Sequence, residues 1–241
     1  MNNGEDVDES YQSLSDLLSG MVFIFIITLI AYIINFSGSR EISQTLGQQA
    51  SDTALRKSYI IKQVSENLTK QNIIHKADPK SGIISISSDQ LGFGTGTHIL
   101  DQSSISVLTN ISTTIGSVIT CYSNLPVPTL NKQGCAADLR GQLHRIYIEG
   151  HTDNVPFKKR NSIRDNFDLS LLRAASIKSE MERYKPFSEL KRQSGLEEVL
   201  IPTGYGASDP IVDHRSPTSE PKNRRIGFRF ELNQKWTLAE N

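Results

Sequence analysis

The chain has 241 residues, and its 26 Lys and Arg are balanced by 26 Asp and Glu, so the formal net charge is zero. No basic surplus marks a nucleic-acid surface, and nucleic acid is excluded as an expected partner. A hydrophobic share of 37% is too low for a polytopic channel and fits one membrane pass joined to a soluble domain.

The opening residues, MNNGEDVDESYQS, contain acids but no Lys or Arg, unlike the basic start of a cleavable signal peptide. They predict a short tail over residues 1–13, followed by a retained transmembrane helix over 14–36. The apolar run Leu17 to Phe36 has about the 20 residues that a hydrocarbon core demands. Asp16 stands in the first turn of this helix. A carboxylate at mid-bilayer costs about 2.5–3.5 kcal/mol, and such a group usually marks a function. The other reading places Asp16 just outside the apolar core, against the positive end of the helix dipole. Position alone leaves both open.

Orientation is ambiguous. Arg40, Arg56 and Lys57 put the flanking positive charge on the C-terminal side, which weakly predicts that side to be cytoplasmic. Cys121 and Cys135 bound a short loop with two prolines. In an oxidising compartment they form a disulfide that stabilises by about 3 kcal/mol; in a reducing one they remain thiols.

Residues 37–80 form the expected linker. NFSGSREISQTLGQQASD is a polar connector, and Thr53 to Ile74 is an amphipathic helix with Leu55, Ile60, Ile61, Val64 and Leu68 on one face. That face needs a packed partner, either the soluble domain or a second copy. The compact domain is expected over residues 81–232, opening with the β-branched strand GIISISS. The glycine-rich LGFGTGTHIL fits neither GxGxxG nor the P-loop pattern and leads into no strong helix start, so a phosphate cradle is set aside. Ile105, Leu108, Ile111 and Ile115 form one stripe of a helix reaching Tyr122. HRIYIEGHTDN alternates as a strand and ends in a glycine turn. Asp168 is the predicted N-cap of a helix to Tyr184, with Leu172, Ala175 and Met181 at helical spacing. EEVLIPTGYGASDPIV supplies a strand and a loop, and RRIGFRFEL a last strand with Ile226, Phe228 and Phe230 opposite Arg225, Gly227 and Arg229. A tail over 233–241 follows. The expected fold class is α+β: a transmembrane helix, a helical linker, and a two-layer domain with helices on one mixed sheet.

Four blocks in order, IEGHTDN (Ile148 to Asn154), NFDLSLLRAASIK (Asn166 to Lys178), GYGASDPI (Gly204 to Ile211) and KNRRIGF (Lys222 to Phe228), resemble the peptidoglycan-binding domain of the OmpA and MotB type. The resemblance implies that an aspartate and an arginine hold the diaminopimelate side chain of the wall's stem peptide, at the matching positions Asp153 and Arg173. Asn166 and Leu169 are expected to shape the rim, and Arg224 and Arg225 to brace the fold. The chemistry agrees, because a ligand ending in an ammonium beside a carboxylate is complemented by a carboxylate and a guanidinium fork. The bland alternatives are a turn-stabilising Asp153 and a solvated Arg173. The usual phenylalanine-glycine motif appears only as GFGTGTHIL, and both the cysteine loop and the segment VPFKKRNSIRD lengthen the domain. His98, His144, His151 and His214 are scattered without HExxH or CxxC spacing, so no metal site and no enzyme is expected.

A wall-binding domain on a single spanning helix, SDLLSGMVFIFIITLIAYII, resembles the B subunit of a MotA/MotB-type stator. The short acidic tail and enlarged cysteine loop look most like ZorB of the Zorya antiphage defence system. The resemblance implies that Asp16 carries an ion, a proton rather than sodium, with no cofactor. The implied partners are a ring of MotA- or ZorA-like membrane subunits, a second copy of the chain and peptidoglycan. It also implies a bacterial inner-membrane protein with a cytoplasmic N-terminus and a periplasmic C-terminal domain, against the flanking-charge count. The alternatives are a flagellar MotB-type stator subunit and a purely structural OmpA-type envelope tether.

Overall fold

A computed structural model of the chain describes residues 5–125, 135, 139–158, 163–190, 198–213, 217 and 219–233, with backbone alone for 5–14 and 35–46. The chain divides into two compact units, Met1–Ser51 and Asp52–Asn241.

The first unit holds the part of helix α1 (Glu5–Lys70) that precedes Asp52. Its stretch Ser15–Ile34 is apolar and 20 residues long. Leu17, Met21, Phe23, Ile24 and Phe25 are all exposed, as is Asp16 at the head of the stretch. A helix that closes its own backbone hydrogen bonds and is greasy all round is suited to lipid. Thr28 satisfies its hydroxyl within the helix, donating to the carbonyls of Ile24 (3.0 Å) and Phe25 (2.9 Å). The connector predicted after Phe36 is helical as well, because its Glu, Gln, Leu, Ala and Arg residues outweigh two glycines in helix propensity.

In the second unit, the last turns of α1 bury Ile60, Ile61, Val64 and Leu68 in the same core as Ile84, Phe228 and Phe230. The compact unit that begins at Asp52 thus includes these turns ahead of the expected domain start at residue 81, and the partner required by the amphipathic helix is the domain itself. Leu55 departs from the predicted face and is 67% exposed. It precedes Val64 by about two and a half helical turns, which puts it on the opposite side. The helix ends at Lys70 rather than Ile74, with Ile73 buried beyond it and Ile74 exposed.

The sheet contains β1 (Lys76–Asp78), β2 (Ile83–Ser87), β3 (Leu143–His151), β4 (Leu200–Gly206) and β5 (Arg225–Leu232), in the order β1-β2-β5-β3-β4. All neighbours are antiparallel except β3 and β4. That parallel pair needs a crossover, which α3 (Asn166–Met181) supplies. The short edge strand β1 has no signal in the residue pattern. Helix α2 (Gln102–Ile119) is long and apolar enough to span a membrane, yet Leu108, Ile111, Ile115 and Ile119 are buried in the core. On β5, Ile226, Phe228 and Phe230 point inward as expected.

Helix α3 differs from its prediction at both its cap and its buried face. Asp165 is the N-cap and accepts from the Asp168 amide at 2.9 Å. The Asp168 carboxylate is instead engaged by Arg164, at 2.7 and 2.8 Å. Leu169, Ala174, Ile177 and Met181 are buried, whereas Leu172 and Ala175 are half-buried. Gly150 is part of β3 rather than a turn. A Cβ there would collide with the Ser170 carbonyl, and one at Gly204 would press on Leu171 and Ser170, so both glycines let α3 lie directly on the sheet.

Cys121 and Cys135 are joined in a disulfide, with Cα atoms 5.2 Å apart. The loop between them, 126–134, lies outside the described residues.

Candidate functional site

Four segments converge beyond the end of β3: the chain after His151, the start of α3, the glycine-rich loop after β2, and the entry to β5. They enclose a cleft of about 490 Å³ lined by all four residues predicted for the site, Asp153, Asn166, Leu169 and Arg173.

Asp153 is 8% exposed. Its Oδ2 accepts from Arg224 Nη1 at 3.0 Å, and Oδ1 accepts from the Val155 amide at 3.4 Å. Arg224 also donates through Nη1 to Ser219 (2.9 Å) and through Nη2 to Asp89 (3.0 Å). Arg224 was expected only to brace the fold, but it lines the cleft and is shared between two carboxylates there. Burial works against its charge, but the hydrogen bonds to Asp89 and Asp153 outweigh that and raise its pKa.

Arg173 is 3% exposed and is anchored differently. Its Nε donates to the Thr97 carbonyl at 2.9 Å and its Nη2 to the Gly94 carbonyl at 3.0 Å, with the guanidinium carbon 5.2 Å from the Phe93 ring centroid. It hydrogen-bonds no carboxylate among the described residues. Burial, followed by repulsion from Arg224, pushes its pKa down to about 10 against the attraction of Asp89 and Asp153. At neutral pH it remains a buried cation without a bonded anion.

Asn166 does more than shape a rim: its Nδ2 donates to the carbonyls of Asp153 (3.3 Å) and Val155 (2.8 Å) and so holds the loop that presents the carboxylate. Leu169 is buried and supplies apolar lining. Thr152 also lines the cleft, with a buried hydroxyl that has no partner among the described residues. The arrangement suits a zwitterion, with an anion against Arg173 and a cation against the Asp153 and Asp89 carboxylates.

The other polar clusters lie elsewhere. His151 stacks on Tyr205 with ring centroids 4.9 Å apart; burial, then Arg225, lower its pKa to about 4 against the pull of Asp209. Arg225 pairs with Asp209 at 2.8 Å. No group of three metal-binding side chains occurs among the described residues, and His214 falls outside them. Arg224 and Asp89 were missed because their bonds reach 71 and 135 residues along the chain. Only the KNRR block hinted at the first of them.

Residues 130–224 match the OmpA family, a span that includes Asp153, Asn166, Leu169, Arg173 and Arg224. The second unit contains an OmpA-like domain. A putative MotB-like protein from Desulfovibrio vulgaris has 20% identity to the chain, covering 76% of it and 98% of that protein, with a TM-score of 0.51. The periplasmic domain of Helicobacter pylori MotB has 18% identity over 63% of this chain and 76% of that one, with a TM-score of 0.41. The cell wall anchor of the T6SS from Pseudomonas aeruginosa has 15% identity over 72% and 97%, with a TM-score of 0.45. The first of these likenesses places the OmpA-like domain in the α+β fold of MotB-like structures. No curated protein matches the chain significantly by sequence.

Proposed function

We propose that this chain is the B subunit of a MotB-type, wall-anchored and ion-driven complex of the bacterial inner membrane. The observation that carries this reading is the presence in one chain of an exposed apolar helix headed by Asp16 and an OmpA-like cleft lined by Asp153 and Arg173. Arg173 takes the carboxylate of the diaminopimelate side chain, and Asp153 takes its ammonium. Asn166 and Arg224 hold Asp153 in position for that contact. The cystine at Cys121 and Cys135 supports an oxidising location for the domain, which favours the periplasmic side despite the flanking charges.

With the domain held by the wall, a proton entering from the periplasm neutralises Asp16 and its release to the cytoplasm restores the charge. Each charge crossing the membrane delivers about 2.3 kcal/mol per 100 mV. Two copies of Asp16 in a homodimer, alternating within a ring of MotA- or ZorA-like subunits, turn this into stepping of the ring around a fixed core. The acidic residues ahead of the apolar helix and the enlarged cysteine loop favour the ZorB component of Zorya antiphage defence over a flagellar stator subunit, with a proton rather than sodium as the ion carried. In phage-challenged cells, Asp16→Asn should abolish protection while the protein still inserts, assembles and co-sediments with peptidoglycan. Full protection by that variant would leave a structural tether, and rescue of swimming instead of phage resistance would identify a flagellar stator.

A further inference from the structure

A second cleft, of about 530 Å³, opens at the β1 edge of the sheet and shares no lining residue with the first. Lys76, Lys222 and Arg225 line it, and no lining residue is acidic. Lys76 and Lys222 are exposed and form no ion pair among the described residues. Arg225 is only 7% exposed; Nη2 engages Asp209, while the buried Nη1 has no acceptor among the described residues. A buried donor left this way is unfavourable until an acceptor arrives.

Beside these cations and the polar His75, Ser85 and Ser87, the lining is apolar and braced. Ile74 is 80% exposed, and Ile211, Val212 and Pro221 line the cleft with it. Asn223, wholly buried, accepts from the amides of Ile211 (2.8 Å) and Val212 (2.9 Å) and donates to the Val212 carbonyl (2.9 Å). A small inorganic anion would satisfy the cations but leave this apolar surface wet. Lys76 pairs in register with Ser85, and Arg225 with Ser87, so the cleft lies across three adjacent strands and offers an elongated floor.

We propose that this cleft docks an extended peptide of alternating acidic and apolar residues, supplied by a partner protein, over the face that β1, β2 and the start of β5 share. Its carboxylates meet Lys76, Lys222 and Arg225, and its apolar side chains cover Ile74 and Ile211. The site is independent of wall binding. The test uses the full chain in detergent micelles and a fluorescein-labelled hexapeptide of alternating valine and glutamate, followed by fluorescence anisotropy. Saturable binding is expected, at least tenfold weaker for the double variant Lys76→Glu, Lys222→Glu and for Ile211→Ser, and absent for a valine–lysine hexapeptide. Sedimentation of both variants with peptidoglycan should match the parent, which also shows that the domain is folded. Absence of saturable binding, equal binding by both variants, or displacement of the peptide by soluble muropeptides would overturn the proposal.

Discussion

Arg173 and Arg224 line the same cleft but have opposite roles. Arg224 bonds both Asp153 and Asp89, whereas Arg173 gives two nitrogens to backbone carbonyls and bonds no carboxylate among the described residues. Arg173→Lys removes the planar fork that reaches the carbonyls and a ligand together. A charged hydrogen bond contributes about 1.5–3 kcal/mol, so sedimentation with isolated peptidoglycan should weaken roughly tenfold or more; parental binding would remove Arg173 from the site. His151 gives a pH signature. Its folded pKa of about 4 lies below the ordinary 6.5, so the unfolded chain takes up the proton first as pH falls. Stability is full above pH 6.5 and declines between there and pH 4, by about 3 kcal/mol in all. Thermal melts across that range should show the decline, and His151→Phe should flatten it. Asp153 and Arg173 were candidates from their blocks alone, and both line the cleft. Asp89 was not a candidate, because its role depends on a fold that brings it to Arg224.

At the level of elements, the cleft depends on how closely α3 approaches β3 and β4. The Cβ of Gly150→Ala would run into the Ser170 carbonyl, one turn before Arg173 on the same helix. Overpacking of this kind costs about 1–3 kcal/mol, and the displaced helix should carry Arg173 with it. The variant is therefore expected to melt earlier and to bind the wall less well, and an unchanged melt would show that the helix has room to shift. Strands were legible where alternation was strict, as on β5, whose apolar residues all face inward. Caps were less so: Asp165 and Asp168 are three residues apart at the start of α3, and only the bonding of Arg164 to Asp168 shows which of them is the cap.

On the scale of the whole molecule, the core recruits a helix from outside the recognisable blocks and ahead of the expected domain start at residue 81. Ile60, Ile61, Val64 and Leu68 are fully buried. A fragment of residues 52–241 should therefore melt cooperatively, whereas one of residues 81–241 should bind a hydrophobic dye; cooperative melting of the shorter piece would show that the α1 contacts are dispensable. The cystine has a consequence for quality control. A copy stranded in a reducing compartment would carry two thiols in place of the Cys121–Cys135 bridge and lose about 3 kcal/mol of stability. That loss multiplies its unfolded population more than a hundredfold, so misrouted chains would be the first that proteases clear.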